Sequence, residues 1–275
     1  MEQGEFGGPG KRRRRCSFIL GVLAVLLLIV ILAVVLGLTL REDSNDLKPT
    51  FLNRCQQFQV KNCQHAWEVF QQAYVDKDPC NVSMEAYDPF IEATSFTPSC
   101  NRMMFWSKTK DVVHEFTEKK ECFQTLEDTV LGSVLDGLTW CGKKGSSETF
   151  TTGCPRWTDC INNPVRSFWN RASAAFANVA CGNITAMLNG SIATPFDSSS
   201  IFASIEVGNL KSDKVNNLNV VLVTQKNVVS NCTNQSFENL KSKLAEGIKF
   251  NCKEVPETQI QECGSDPEKA CGSCW

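Results

Sequence analysis

The sequence predicts an α/β protein of the α+β type, with a single-pass membrane anchor followed by a disulfide-rich ectodomain. The ectodomain is expected to have a helical N-terminal part and a C-terminal part built on a small parallel sheet flanked by helices. Three observations carry this prediction. An uncharged apolar run precedes the globular part, cysteines crowd the region after it, and the hydrophobic periodicity changes from helical to strand-like along the ectodomain.

The apolar run covers residues 16–40, contains no charged side chain, and exceeds the roughly 20 apolar residues needed to cross a bilayer. The basic run "KRRRR" precedes it and the mixed run "REDSND" follows it, which predicts a type II orientation. Residues 1–15 are then a cytoplasmic tail, residues 41–53 a stalk and residues 54–275 an extracellular domain at the plasma membrane. A cleaved signal peptide is the alternative, but its apolar core spans only about 7–15 residues.

The cysteines and glycosylation sequons lie on the same side of this run. Of the fifteen cysteines, all but Cys16 follow the run, which leaves fourteen. An even number of this size predicts an ectodomain cross-linked by disulfides in an oxidising compartment. Beyond residue 40 there are 23 basic and 28 acidic residues with no basic, aromatic-interleaved face, which argues against a nucleic-acid partner. The sequons predict glycosylation at Asn81, Asn183, Asn189, Asn231 and Asn234.

The first part of the ectodomain, about residues 54–165, has helical patterns joined by cysteine-rich turns. Trp67, Phe70 and Tyr74 recur at helical spacing, and the stretch "TLEDTVLGSVLDGLTWCG" from Thr125 predicts a second helix. A third helix is expected to be capped by Asn163, with Pro164 at its first position, and to end before Cys181-Gly182.

The second part, about residues 166–275, changes to short strand-like runs: "NITAMLNG", "FASIEVG", "NVVLVTQ" and "FNCKEV". The stretch "SFENLKSKLAEGIKF" places Phe237, Leu240, Leu244 and Ile248 on one helical face. Strands that alternate with helices predict a small parallel sheet.

Three carboxylates lie within the predicted second helix. On a helical wheel Glu127 falls in the middle of the apolar arc, Asp128 at its edge and Asp136 on the opposite side, so Glu127 alone is directed inward. Thr125 followed by Asp128 also resembles a capping box, and acidic residues in a first helical turn are favoured by the helix dipole. Both interpretations stay open at this point.

Several reaction classes find little support in the sequence. His65 and His114 have no partner at ligand spacing, so neither a metal site nor a Ser-His-Asp arrangement is expected. The "CGSC" run from Cys271 lacks a thioredoxin-like context, which favours structural pairing. The pair Asp76 and Asp78 would suit a metal-dependent glycosyltransferase, but the turn residues that follow favour a solvated loop.

Carboxylates and tryptophans remain, and they suit the cleavage of a bond to an anomeric carbon. A carboxylate can stabilise or trap the positive charge on a ribose ring, and aromatic walls hold flat leaving groups. The candidates are Trp106, Trp169, Glu127, Asp136 and Glu206. The alternatives are that Trp169 belongs to a plain core stripe and that Glu206 lies on the wet side of a strand.

The motifs "TLEDT", "LTWCG", "NNPVRSFW", "MLNGS" and "SIEV" occur in order between about residues 54 and 263. Together they resemble the ADP-ribosyl cyclase / cyclic ADP-ribose hydrolase family, and the apolar span narrows the resemblance to its type II leukocyte surface branch. The resemblance implies an enzyme that splits the nicotinamide–ribose bond of NAD, forms ADP-ribose and the calcium-mobilising messenger cyclic ADP-ribose, and hydrolyses the latter. NAD is then the substrate, and no cofactor is expected.

The resemblance also implies roles for individual residues. Glu206 matches the catalytic glutamate, Trp169 a pocket tryptophan, and Glu127 the acid that holds the nicotinamide carboxamide and restrains cyclisation. Cys100 and Cys181 match a disulfide that the family links to hydrolysis of the cyclic product. The substrate-binding positions implied are Trp106, Ser107, Lys108, Asp128, Asp136, Ser173 and Phe202.

Three positions depart from the family pattern. Lys108 stands where arginine is expected, which replaces a bidentate phosphate fork by a point charge. Ile201 stands where threonine is expected beside the phosphates, and Gly137 replaces a second acidic residue after Asp136. These changes predict altered substrate binding or product proportions rather than loss of bond cleavage.

The disulfides implied by the family are Cys55–Cys63, Cys80–Cys160, Cys100–Cys181, Cys141–Cys154, Cys232–Cys252, and Cys263 with Cys271 or Cys274. Cys122 and one C-terminal cysteine then pair with each other or between chains. Partners expected besides NAD are the membrane, a second copy of the chain in a homodimer, and cell-surface proteins. A catalytically silent adhesion or receptor glycoprotein on the same fold is the alternative function.

Overall fold

The computed structural model describes residues 47–58, 60–119, 121–225, 227–266, 268–270 and 274–275. Within these residues Leu47–Trp275 form one compact unit. The predicted cytoplasmic tail, the predicted span 16–40 and the first residues of the predicted stalk lie outside the described residues. In the part that is described, no helix has the length and apolar character needed to cross a bilayer.

The elements follow one another in a mixed helical and strand order. In chain order they are α1 (Leu47–Gln56), α2 (Cys63–Gln72), a 3-10 turn (Met84–Tyr87), α3 (Asp88–Ala93), β1 (Met104–Ser107), α4 (Lys110–Lys119), α5 (Val130–Ser133), β2 (Cys141–Lys143), β3 (Ser146–Phe150), α6 (Pro164–Val179), β4 (Gly182–Asn189), a π-helix (Phe202–Glu206), α7 (Val207–Asn209), β5 (Val215–Thr224), α8 (Ser236–Lys243), β6 (Lys249–Pro256) and α9 (Glu257–Ser265).

Four strands form one sheet in the order β1-β4-β5-β6, and every neighbouring pair is parallel. The predicted parallel sheet is therefore confirmed, although β1 lies in the part of the chain that was expected to be helical. The sheet separates a large aromatic and aliphatic core from a smaller cluster, where Met104, Met187 and Val221 are buried together with Phe116 of α4 and Ile260 of α9. Because both faces are covered, the inner strands β4 and β5 are nearly continuous apolar runs.

The helical part packs around an aromatic core. Phe51 of α1 contacts Trp67 and Phe70 of α2, with ring centroids 5.3 Å and 5.6 Å apart. The helical spacing predicted for this stretch is confirmed, although α2 ends at Gln72, before Tyr74. Residues 47–53, which the sequence assigns to the stalk, belong to α1 instead, because burial of Phe51 fastens that helix to the core.

Helix α6 begins and ends where its sequence signals predict. The side chain of Asn163 accepts a hydrogen bond of 2.9 Å from the backbone N–H of Arg166, and Pro164 occupies the first turn. The buried hydroxyl of Tyr87 donates to the carbonyl of Pro164 at 2.9 Å and accepts from Trp140 at 3.0 Å. These bonds fix the start of α6, which carries two of the predicted site residues, Trp169 and Ser173.

Two predicted elements are wrong. The helix predicted over Thr125–Gly142 is reduced to the four residues of α5, whose N-cap is Thr129. The chain doubles back tightly here, since a Cβ atom on Gly132 would lie 2.3 Å from the carbonyl oxygen of Leu126. Glu127 therefore lies in a turn before the helix and not on it.

The stretch "FASIEVG", predicted as a strand, is a π-helix that continues into α7. The backbone N–H of Ala203 donates to the hydroxyl of Ser200 at 3.1 Å, which caps the start of this helical segment. The buried positions Phe202, Ala203, Glu206 and Val207 follow helical spacing, whereas the alternation of Ile205, Glu206 and Val207 suggested a strand. Later in the chain α8 is confirmed but ends at Lys243, before Leu244 and Ile248.

Six disulfides implied by the resemblance are present, with Cys274 as the partner of Cys263. Cys122 is disulfide-bonded as well. The described pairs are Cys55–Cys63, Cys80–Cys160, Cys100–Cys181, Cys141–Cys154, Cys232–Cys252 and Cys263–Cys274.

Candidate active site

A cavity of about 470 Å³ opens at the carboxyl end of β1. This is the edge of a parallel sheet at which ligands bind in α/β proteins. It brings together side chains from β1, the turn before α5, helix α6 and the π-helix. The predicted site residues that line it are Trp106, Ser107, Lys108, Glu127, Asp136, Trp169, Ser173, Phe202 and Glu206.

Glu206 ends the π-helix and is a buried carboxylic acid with 8% of its surface exposed. Its pKa is raised from about 4.5 to about 8: burial is the largest cause, a hydrogen bond from the Ser173 hydroxyl opposes the shift, and the negative charge of Glu127 adds to it. The alternative that Glu206 lies on the wet side of a strand is therefore wrong. A π-helix at this position is consistent with the frequent occurrence of such turns at functional sites.

Glu127 and Asp128 are neighbours in one turn but have different environments. The Oε2 atom of Glu127 accepts a hydrogen bond of 3.3 Å from the indole N–H of Trp106, at the cavity wall. Asp128 does not line this cavity, because its Oδ2 atom accepts bonds from the backbone N–H and the hydroxyl of Thr125, at 2.8 Å and 2.9 Å. Those bonds match the capping interpretation for Asp128, although α5 begins later, at Val130.

The two predicted tryptophans form walls from different elements. Trp106 lies on β1, and its ring contacts His114 of α4 edge to face at 5.7 Å. Trp169 lies on α6 and contacts Phe168 edge to face at 5.1 Å. Trp169 is half-buried, since it packs on the core and also faces the cavity. The core-stripe interpretation of Trp169 therefore describes only one side of its ring.

Two ion pairs lie at the rim. Lys108 contacts Asp197 with Nζ and Oδ2 2.6 Å apart, and Lys110 contacts Asp136 with Nζ and Oδ1 3.2 Å apart. Lys108 has a left-handed backbone with φ of 58°, and its carbonyl accepts a bond of 3.0 Å from the amide of Asn189. These lysines place positive charge where an anionic part of a ligand would enter.

Sequence reasoning missed several of the lining residues, among them Lys110, Trp157 and Ser200. Trp157 is 39% exposed and lies under the guanidinium of Arg166, 5.7 Å from its ring centroid. A tryptophan in the short polar stretch between Cys154 and Cys160 was a signal for Trp157. Lys110 and Ser200 carried none, because only the fold brings them to the cavity.

The departures from the family pattern also border the cavity, since Lys108, Ile201 and Gly137 line it. Gly137 has φ of 72°, a conformation that glycine adopts without strain and that an acidic side chain would not favour. Cys100 and Cys181 do not line the cavity. Their disulfide lies at the amino ends of β1 and β4, so any influence on the reaction passes through the strands.

The five sequon asparagines differ in their exposure and in the hydrogen bonds that their side-chain amides make. Asn81, Asn183 and Asn231 are exposed. Asn189 and Asn234 are half-buried, and both amides donate hydrogen bonds: Asn189 to the Lys108 carbonyl, and Asn234 to the Ala193 carbonyl and the Ser230 hydroxyl.

The acidic pair Asp76 and Asp78 serves local turns. The Oδ1 atom of Asp76 accepts from the N–H of Gly145 at 2.6 Å, and that of Asp78 accepts from the N–H of Cys80 at 2.8 Å. Across the described part of the chain, no group of three or more His, Cys, Asp and Glu side chains is arranged to hold a metal ion.

A buried carboxyl group, a second carboxylate bonded to a tryptophan, aromatic walls and ion-paired lysines at the rim are suited to one kind of chemistry. They can hold a flat leaving group, exclude water and stabilise positive charge on a sugar ring. The fold and the site together define an enzyme of the class that cleaves glycosidic bonds to nucleotides.

Comparison with known proteins agrees with this class. The family model for ADP-ribosyl cyclase matches residues 44–272. The chain is 38% identical to ADP-ribosyl cyclase/cyclic ADP-ribose hydrolase 1 of Rattus norvegicus, over 76% of this chain and 70% of the relative. It is 37% identical to the corresponding protein of Mus musculus, over 85% and 84% of the two chains. The chain belongs to the ADP-ribosyl cyclase family.

Solved structures give the same result. The chain resembles porcine CD38 complexed with a covalent intermediate, ribo-F-ribose-5'-phosphate, with a TM-score of 0.73 and 35% identity over 78% of this chain and 97% of that one. It also resembles Aplysia cyclase complexed with substrate NGD and product cGDPR, with a TM-score of 0.71 and 26% identity over 82% and 96% of the two chains.

Proposed function

We propose that this protein cleaves the nicotinamide–ribose bond of NAD, releases ADP-ribose and cyclic ADP-ribose, and hydrolyses the cyclic product. Family membership, the names of the relatives and the buried carboxylate of Glu206 support the proposal. Glu206 is the single observation that carries it, because a carboxylic acid buried without a basic partner costs stability and is retained where a reaction needs it.

The chemistry requires no general acid, because nicotinamide leaves as a neutral molecule. The C–N bond to the ribose breaks, the electron pair departs with nicotinamide, and positive charge grows on the ribose. The carboxylate of Glu206 stabilises this charge or bonds to the anomeric carbon. Water then gives ADP-ribose, and attack by the substrate's own adenine gives the cyclic product.

NAD itself brings Glu206 into the required ionisation state. The ligand-free pKa of about 8 leaves the acid mostly protonated at neutral pH. The nicotinamide ring of NAD is a cation, and a cation beside a carboxyl group lowers its pKa. Binding of the substrate therefore favours loss of the Glu206 proton, and binding of neutral nicotinamide does not.

The other residues bind and orient the substrate. We assign Trp106 and Trp169 to the walls that hold the flat rings, and Glu127 to the carboxamide of nicotinamide and to restraint of cyclisation. Ser107 and Ser173 supply hydroxyl groups near the ribose, and Phe202 and Asp136 complete the cavity. Asp128 supports the turn rather than contacting the substrate, and Lys108 offers a point charge for a phosphate.

We also propose a location. The apolar run 16–40 anchors the chain in the plasma membrane with residues 1–15 in the cytoplasm, so that the catalytic part acts outside the cell. Glycans are expected first on the exposed Asn81, Asn183 and Asn231.

The experiment that tests the activity is incubation of the full-length chain with NAD, followed by chromatographic separation of nicotinamide, ADP-ribose and cyclic ADP-ribose. A fluorogenic NAD analogue gives the initial rate. Release of nicotinamide with appearance of both products supports the proposal. Intact NAD after prolonged incubation with a folded, disulfide-bonded chain would contradict it and favour a silent surface glycoprotein.

A further inference from the structure

The rim ion pair between Lys108 and Asp197 joins the two segments that carry the catalytic groups. Lys108 directly follows β1, and Asp197 lies in the turn that leads into the π-helix of Glu206. The side chains of Lys108 and Asp197 are 50% and 26% exposed, so a ligand that enters the cavity can reach the pair. A pair of this kind contributes little to stability.

Hydrogen bonds from neighbouring residues position both partners of the ion pair. The carbonyl of Lys108 accepts a hydrogen bond of 3.0 Å from the Asn189 amide, and the backbone of Lys108 is left-handed, with φ of 58°. The Oδ1 atom of Asp197 accepts from the backbone N–H and the hydroxyl of Ser199, at 2.9 Å and 2.7 Å, so Oδ2 is the atom that contacts Lys108. The bond from Lys108, together with those from Ser199, keeps the pKa of Asp197 well below its ordinary value.

The charges at the rim cancel. Lys108 contacts Asp197, and Lys110 contacts Asp136, so two ammonium groups face two carboxylates. A phosphate that approaches Lys108 meets an ammonium group that already has an anionic partner. It must share that group with a carboxylate of the same sign as itself, which costs binding free energy.

We propose that Asp197 is a specificity-determining residue that lowers the affinity for phosphate-bearing nucleotides by competing with their phosphates for the Lys108 ammonium group. This inference rests on the nucleotide binding of the proposed function. It concerns the diphosphate end of the ligand and not the reacting bond. Nicotinamide, which carries no phosphate, is therefore an internal reference, and ADP-ribose is the probe because it carries the diphosphate and is not cleaved.

The test is calorimetric titration of the full-length chain and its Asp197→Asn variant with ADP-ribose and, separately, with nicotinamide. Asparagine keeps an oxygen that can accept from Ser199. We expect the Kd for ADP-ribose to fall roughly two- to fivefold, the scale of an exposed ion pair, and the Kd for nicotinamide to stay unchanged. The gain should shrink as ionic strength approaches about 1 M, where screening acts over about 3 Å.

Two further variants isolate the cause. Glu115→Gln removes a carboxylate from another ion pair, Glu115 with Lys119 at 2.7 Å, which lies outside the cavity. It changes the total charge by the same amount and should leave both Kd values unchanged. In a Lys108→Met background, Asp197→Asn should not lower the Kd for ADP-ribose, because the ammonium group for which Asp197 and the phosphate compete has been removed.

The outcomes of the Asp197→Asn titration decide whether Asp197 competes with phosphate for Lys108. A Kd for ADP-ribose that is unchanged or higher in Asp197→Asn, with an unchanged melting temperature, overturns the inference and leaves the proposed function standing. If Asp197→Asn lowers the melting temperature, Asp197→Ser, whose hydroxyl can accept from Ser199, provides the same comparison. If the parent binds nicotinamide but not ADP-ribose, the inference is overturned, and the NAD incubation decides the proposed function separately.

Discussion

Trp106 donates its indole N–H to Glu127 across 3.3 Å, which joins a strand of the parallel sheet to a turn 21 residues further along the chain. The bond holds an acidic group against an aromatic wall and leaves its second oxygen available to a ligand. Glu206 lies close enough to Glu127 for the negative charge of Glu127 to raise its pKa. The cavity thus holds two acids with different tasks, one fixed by an indole and one buried.

Replacement of Glu127 tests its proposed role in holding the nicotinamide carboxamide and restraining cyclisation. Glu127→Ala should raise the share of cyclic ADP-ribose among the products, because the group that holds the carboxamide and opposes folding-back of the adenine is lost. If Glu127 acts only as a first-turn acid, the change costs at most about 1 kcal/mol of stability and leaves the proportions unchanged. Chromatographic product ratios separate the two cases.

Trp106→Phe is the matched control for this prediction, because it removes the N–H donor and keeps an aromatic wall. It should shift the product ratio in the same direction by less than Glu127→Ala does. A ratio that moves in Trp106→Phe but not in Glu127→Ala would show that the indole, and not the carboxylate, restrains cyclisation.

The raised pKa of Glu206 predicts a pH-dependent cost to stability. The unfolded chain loses the proton near pH 4.5 and the folded chain near pH 8, so the folded state holds the extra proton between these values. Stability therefore falls as pH rises from about 4.5 to about 8 and levels above that, with an upper limit near 5 kcal/mol at about 1.4 kcal/mol per pKa unit.

Glu206→Gln removes this titration. The melting temperatures of the variant and the parent are compared from pH 5 to pH 9. The difference, variant minus parent, should increase steadily up to about pH 8 and stay constant above it. Glu115→Gln, an exposed change, should run parallel to the parent. A constant difference between Glu206→Gln and the parent over the whole range would show that Glu206 titrates normally in the fold.

Arg54 supports the cavity from outside. Its guanidinium donates to the carbonyl of Ser133 at 3.1 Å and to that of Asp136 at 2.7 Å, at the C-terminal end of α5 and beside the Gly137 turn. Arg54→Met should lower the free energy of unfolding by about 1.5–3 kcal/mol, the scale for hydrogen bonds from a charged group. Arg54→Lys should recover part of it, and denaturant titration measures both; equal losses in the two variants would contradict the two-bond account.

The orientation in the membrane can be tested on intact cells. An impermeant protease should remove the catalytic part and spare an epitope placed before Lys11. The same treatment of permeabilised cells should destroy the epitope. Loss of the epitope from intact cells would reverse the proposed topology.

The sequence predicted the elements whose signals are local. Asn163 and Pro164 identified the start of α6, and the short strand-like runs identified β4, β5 and β6. The π-helix was missed because the order of apolar Ile205, acidic Glu206 and apolar Val207 in the sequence imitates strand alternation. Glu127 was correctly directed inward for the wrong reason, since a tight turn at Gly132 and not a helical face orients it.

The site was predictable where single residues have distinctive chemistry, and not where only the fold brings them together. Nine predicted residues meet at the cavity. Asp128 was expected at the substrate but does not line the cavity, because the adjacent residues Glu127 and Asp128 face different ways in their turn. The partnership of Lys108 with Asp197 joins positions 89 residues apart, and no local pattern marks it.

The central claim is that the Glu206 carboxylate carries bond cleavage, and the most direct measurement is the steady-state rate of nicotinamide release from NAD by full-length Glu206→Gln. The account predicts a kcat at least about 100-fold below that of the parent, the scale for removal of a preorganised electrostatic group. The KM should change little, because the walls and rim persist. A folded, disulfide-bonded Glu206→Gln chain that turns over NAD within a few-fold of the parent would contradict the claim.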